Sequence, residues 1–170
     1  TAGVFAGTLG REGSKAVADL FLSFIPANYS ALVLFIVSCF VSTAMGTSCG
    51  TITIMSPIAL ELSLATGASL PLLVGSVIGG AMFGDNLSFI SDTTIAATST
   101  QGCKMKDKFK ENFFIALPAA LLTIVILVIF ALTSQTTNTY TPNEVNLWLL
   151  VPYVLVLIGG VIGINVFVVL

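Results

Sequence analysis

The sequence predicts an all-α integral membrane protein with two discontinuous helices, and three observations carry that prediction. Hydrophobic residues make up 56% of the 170 residues and charged residues only 8%, against about 45–50% and about 25% in a typical soluble domain. The mean hydropathy is +1.05. Long apolar segments are also interrupted, within their length, by short runs of glycine and hydroxyl residues. So little charge cannot cover a soluble surface, which nearly excludes soluble enzymes. With six Lys+Arg against eight Asp+Glu there is no basic field for phosphates, so nucleic acid is not an expected partner.

A spanning helix needs about 20 mostly apolar residues. Residues 30–65 are too long for one simple span. They read apolar over 31–45, then GTSCGT at 46–51, then apolar again over 52–65, which predicts a broken helix or a re-entrant hairpin. Residues 70–100 repeat the pattern, with GDNLSFISDTT at 84–94 as the interruption. Irregular backbone at membrane depth survives only where protein or a water-filled cavity satisfies its N–H and C=O groups. Such interruptions form ion and substrate sites in secondary transporters.

Residues 101–111, QGCKMKDKFKE, hold Lys104, Lys106, Lys108 and Lys110. The positive-inside bias predicts a basic cytoplasmic loop here, and spacing by two means no single helical face collects the four lysines. Residues 112–132 carry no charge and predict a clean span, with Pro118 as a tolerated kink. The polar linker 133–144 is expected outside. Residues 145–170 predict a further span, with Trp148 and Tyr153 at an interface. Residues 16–27 fit an interfacial helix or half of another crossing. Together 1–170 read as one transmembrane domain, expected to be a piece of a longer chain. Membrane lipid and the rest of that chain are then its partners, and a homodimer is compatible with the sequence.

The chemistry gathers at the interruptions. Histidine is absent, which removes His-based triads and proton relays. Cys39, Cys49 and Cys103 show no CxxC spacing, and the cysteines in apolar context are expected to be buried free thiols. Between Leu20 and Cys103 the only charges are Glu61, Asp85 and Asp92, and there is no cation. A carboxylate near mid-membrane needs a partner. That partner is a mobile cation, a proton or a basic residue elsewhere in the protein.

Asp85 and Asp92 would share one face of a continuous helix, about 10 Å apart along its axis, or lie closer if 87–90 unwinds. Around them stand Asn86, Ser88, Ser91, Thr93 and Thr94, and Thr47, Ser48 and Thr51 flank the first interruption. Hard neutral oxygens beside carboxylates suit a hard cation, here sodium with a proton as competitor. No cofactor beyond the transported ions is called for. Other readings of the same residues are helix capping for Asp85 and Asp92, close packing for Gly46 and Gly50, and an interfacial position for Glu61.

GTSCGTITIMSPIAL (46–60) followed by GGAMFGDNLSFISDTTIAATSTQGC (79–103) resembles the NhaC-type sodium/proton antiporter family of the ion transporter superfamily. The likeness covers 30–132. Members commonly have Pro where Phe89 stands and an aromatic residue where Cys49 stands. The resemblance implies a polytopic helical transporter with alternating access, of which this chain is one part of an inverted-repeat fold. It implies secondary active exchange of sodium for protons across a bacterial cytoplasmic membrane, by competition at buried aspartates, and not an enzyme. Asp85 and Asp92 become the exchanging acids, with sodium as the metal they hold. Asp92 is expected as a ligand with Ser91, Thr93 and Thr94, and Asp85 as proton carrier or second ligand. The family also includes exchangers of small organic acids with sodium or protons. The lack of Lys and Arg in the interruptions favours the cation exchanger.

Overall fold

The computed structural model describes residues 16–20, 22–23, 26–133 and 151. The predicted polar linker beyond Thr133 and the predicted span at 145–170 lie outside them, residue 151 aside. Every element among the described residues is helical. A 3-10 turn at Ala27–Tyr29 leads into α1 (Ser30–Met45), followed by α2 (Ser48–Thr66), α3 (Leu70–Leu87), α4 (Asp92–Gln101) and α5 (Met105–Thr133). Among the described residues, four stretches are long and apolar enough to cross a membrane: Ala27–Met45, Ser48–Thr66, Leu70–Gln101 and Met105–Thr133. The 16, 19 and 18 residues of α1, α2 and α3 rise about 24, 28 and 27 Å. Each is therefore close to the roughly 30 Å hydrocarbon thickness and is longer than a half-helix.

Local chemistry sets the ends. Gly46 closes α1 at φ 68°, its N–H donating to the Ser42 carbonyl at 2.8 Å, a left-handed cap that glycine adopts without Cβ strain. Thr47, in extended conformation, caps α2 by accepting from the Gly50 N–H at 3.4 Å. Thus 46–47 form a two-residue reversal between antiparallel helices. Pro71 sits in the first turn of α3, where its missing N–H costs nothing. Ser88 and Ser91 are both extended, so the chain leaves the helix after Leu87 and re-enters it at Asp92.

α1 and α3 run parallel and make the closest pair. A Cβ on Gly80 would strike the Phe35 carbonyl oxygen and lie 2.9 Å from Ser38 Cβ. One on Gly84 would strike the Cys39 carbonyl oxygen and lie 2.7 Å from Ser42 Cβ. This small-xxx-small stripe lets two backbones touch, and Ser42 Oγ crosses the seam to donate to the Ala81 carbonyl at 2.5 Å. Gly46 and Gly50, the pair with the same spacing, serve the α1–α2 joint instead. The apolar core is built from Leu34, Phe35, Ile58, Leu62, Leu73 and Val77. Glu61, expected at an interface, is buried on α2 beside Leu62 and is engaged.

α5 differs in two ways. Only 11% of its most apolar window is buried, against 44–50% in the other three stretches, so this helix turns its side chains outward. Its 29 residues rise about 43 Å, roughly 13 Å more than the hydrocarbon needs. The excess corresponds to the lysine-rich start, so the basic segment at 101–111, expected as a loop, is helical from Met105 onward. No Gly or Pro lies between Gly102 and Pro118 to stop the helix, and Asp107 in the first turn favours its N-terminus.

Candidate functional site

Four helix ends converge at one end of this bundle. The C-termini of α1 and α3 point there, α2 starts there, and the first turns of α5 close the side. The two joints touch: a Cβ on Gly46 would lie 2.7 Å from Ile90 Cγ1 and 3.0 Å from the Ile90 carbonyl carbon. The opposite end holds a cavity of about 680 Å³, lined by Asn28, Ala31, Gly67, Leu73, Leu127 and Phe130. The cluster of predicted site residues therefore gathers at the Gly46–Thr47 joint and at the Ser88–Ser91 interruption of the Leu70–Gln101 stretch.

Asp85 is the acid inside this cluster. It sits in the last turn of α3, where the helix dipole disfavours a negative charge. Across the joint, Ser48, the first residue of α2, donates its hydroxyl to Asp85 Oδ2 at 2.9 Å, and the α2 N-terminus offers the favourable end of a dipole. Asp85 Oδ1 is buried and has no hydrogen-bond partner among the described residues. A buried acceptor left unsatisfied is uncommon.

The other predicted residues divide. Thr94 is buried in the first turn of α4 and faces the cluster. Ser88 and Ser91 are buried but locally engaged: Ser88 Oγ accepts from the Ile90 N–H at 3.3 Å, and Ser91 Oγ lies 2.8 Å from Thr93 Oγ1. Asn86 donates its side-chain amide back to the Met82 carbonyl at 2.9 Å, so its backbone carbonyl is what it presents. Thr47 caps α2, and Thr51 donates to the Thr47 carbonyl at 2.9 Å. Ser48 alone of that trio crosses to Asp85. Asp92 and Thr93 are exposed on this chain. Among the described residues the Asp92 carboxylate takes part in none of these hydrogen bonds. A continuous helix linking the two aspartates is not formed, because Ser88–Ser91 lies between them.

The sequence reading missed three residues, all on α5. Lys108 Nζ donates to the Asn86 carbonyl and to Thr94 Oγ1, each at 2.7 Å. Asn112, one turn further along the same face, donates to the same carbonyl at 3.2 Å. Phe109 stacks on Phe89 with ring centroids 4.6 Å apart and planes at 19°. Lys108 is also an electrostatic neighbour of Asp85. Residues two apart on a helix point to nearly opposite sides, whereas i and i+4 share one. Lys106 and Lys110 thus stay exposed while Lys108 and Asn112 turn inward. Reading 105–112 as a helix would have revealed this face. The three cysteines are free, Cys49 and Cys103 are exposed, and Cys39 is half-buried, so the burial expected of cysteines in apolar context does not hold for Cys49.

Sequence comparison places these residues in context. The model of the Na+/H+ antiporter family matches residues 2–132. The Malate-2H(+)/Na(+)-lactate antiporter of Bacillus subtilis is 28% identical over 152 residues, covering 81% of this chain and 32% of that protein. The Na(+)/H(+) antiporter NhaC of Bacillus subtilis is 30% identical over 105 residues, covering 62% of this chain and 23% of its own length. NhaC of Alkalihalophilus pseudofirmus is 25% identical over 118 residues, covering 69% and 26%. The chain spans a third or less of the length of these relatives. No solved structure matches it.

Proposed function

The chain belongs to the Na+/H+ antiporter family, and we propose that the complete transporter exchanges sodium for protons at Asp85. The observation that carries this reading is the buried, unpartnered Asp85 Oδ1, on a carboxylate whose other oxygen is already held by Ser48. A sodium ion and a proton are alternative partners for that oxygen. Sodium would take the carboxylate together with neutral oxygens at the joints, a ligand set suited to a hard cation. A proton would neutralise the same group. An occupied site is cheaper to carry through a change of access than an uncompensated carboxylate in an apolar surround. Competition alone then couples the two fluxes.

In this reading Asp85 takes the leading place. Asp92, at the N-terminus of α4 and exposed on this chain, stabilises that helix end and acts as the second acid toward the rest of the transporter. Ser91, Thr93 and Thr94 line the same joint. The chain contributes one set of interrupted helices to an inverted-repeat fold, whose counterpart lies in the remaining part of a family-length protein. The protein acts as a carrier and not as an enzyme, in a bacterial cytoplasmic membrane, with the lysine-rich start of α5 on the cytoplasmic side.

A second reading has its own support. Lys108 and Asn112 bring a cation and an amide donor to the joint, groups suited to a small carboxylate. One relative is by name a malate and lactate antiporter. The test is proton flux in vesicles containing the full-length protein, after pulses of sodium and then of a panel of small carboxylates. Sodium-driven proton movement without carboxylate supports the proposal. Proton movement that needs a carboxylate replaces it with organic-acid exchange.

A further inference from the structure

We propose that the Lys108 ammonium is a tethered competitor of the transported cation, held on the oxygens that sodium must reach. The inference rests on the sodium/proton reading above and adds a residue that sets its cation affinity. Its two hydrogen bonds go to a backbone carbonyl at the end of α3 and a buried hydroxyl at the start of α4, each at 2.7 Å. Carbonyl and hydroxyl oxygens are also what a hard cation takes. The carbonyl belongs to Asn86, the residue next to Asp85, whose Oδ1 is buried without a partner. Two positive charges do not share such a place at low cost, so sodium binding at Asp85 drives the ammonium away.

The surroundings allow that exchange. Asn112 donates to the same Asn86 carbonyl and keeps it satisfied when the ammonium leaves. The Phe109–Phe89 stack holds α5 in register against the joint while the flexible four-carbon stem of Lys108 moves. On sodium release the ammonium returns and supplies Asp85 with a countercharge. Lys106 and Lys110, exposed on the opposite face, do neither.

The experiment uses the full-length transporter in vesicles, with the sodium dependence of proton flux measured for wild type, Lys108→Gln, Lys108→Arg and Lys110→Gln. Sodium binding to the purified protein is read by calorimetry alongside. Lys108→Gln should lower the half-saturating sodium concentration roughly tenfold, the order expected when a competing unit charge leaves a partly screened site. Lys108→Arg should restore the wild-type value, and Lys110→Gln should not move it. Lys108→Met, which keeps the length of the stem, carries the same expectation as the glutamine variant and serves where that variant does not assemble. A charge-free variant that binds sodium as wild type does, or more weakly, overturns the inference. A charge-free variant that loses binding of a small carboxylate instead makes Lys108 an anion anchor and also overturns it. Wild-type protein with no sodium response overturns the sodium/proton reading itself and takes this inference with it.

Discussion

Replacing Gly84 with alanine tests the α1–α3 seam that carries Asp85. The added Cβ would strike the Cys39 carbonyl oxygen and lie 2.7 Å from both Ser42 Cβ and Thr43 N. Ordinary carbon contacts are about 3.5–4.0 Å, so α1 has to withdraw by roughly 1 Å. Two of the obstructing atoms are backbone, which no rotamer change relieves. Overpacking of this kind costs about 1–3 kcal/mol. Loss of the Ser42 bond to the Ala81 carbonyl adds about 0.6 kcal/mol, the average for such bonds between membrane helices. Alanine returns about 0.5–1 kcal/mol of helix preference over glycine, leaving a net destabilisation of about 1–3 kcal/mol. Gly75→Ala on the same helix is the control, because its Cβ meets nothing within 4 Å. It gains the propensity term alone. Unfolding of the purified full-length protein in detergent, followed by circular dichroism, should therefore shift in opposite directions for the two variants. Equal shifts, or a more stable Gly84→Ala protein, would refute parallel backbone contact between α1 and α3.

Three further outcomes follow from the site. Ser48→Ala removes the partner of Asp85 Oδ2, a bond to a charged group worth about 1.5–3 kcal/mol; half-saturating sodium should rise about tenfold or more, while Thr51→Ala, whose hydroxyl bonds only within its own helix, leaves it unchanged. A double-mutant cycle on Phe89→Ala and Phe109→Ala should give a coupling of about 0.5–1.5 kcal/mol in detergent unfolding, and zero coupling would mean the stack does not hold α5 to the joint. Cys49 and Cys103 are exposed near the same end of the bundle, so an impermeant maleimide should label both from one face of the membrane, and labelling from opposite faces would contradict the helix arrangement.

The helix ends were legible because small residues mark them chemically. GTSCGT contains both the left-handed cap, Gly46, and the Thr47 cap that starts α2. The second polar run, 84–94, contains the extended Ser88 and Ser91. Direction was not legible: the same two-residue joint serves a kinked crossing or a reversal, and only packing against α3 decides between them. Burial of Glu61 was readable from period, since Ile54, Ile58, Glu61 and Leu62 fall on one helical stripe, whereas its place toward the end of α2, near Thr66 and Gly67, points to an interface. Gly46–Gly50 and Gly80–Gly84 have the same spacing, and sequence alone does not say which pair meets a backbone. Lys108 was hidden for a related reason. Taken as loop, 101–111 has no faces, whereas as a helix it places one lysine, Asn112 and Phe109 against the joint.

Asp85 is where sodium/proton exchange is most directly put to the test. Sodium-driven proton flux should be measured in vesicles of the full-length protein carrying Asp85→Asn, with Asp92→Asn in parallel and sodium binding followed by calorimetry. Asp85→Asn should abolish both flux and binding in a protein that still inserts and purifies as wild type, whereas Asp92→Asn should keep measurable sodium binding. Flux that persists in Asp85→Asn would contradict exchange at this carboxylate.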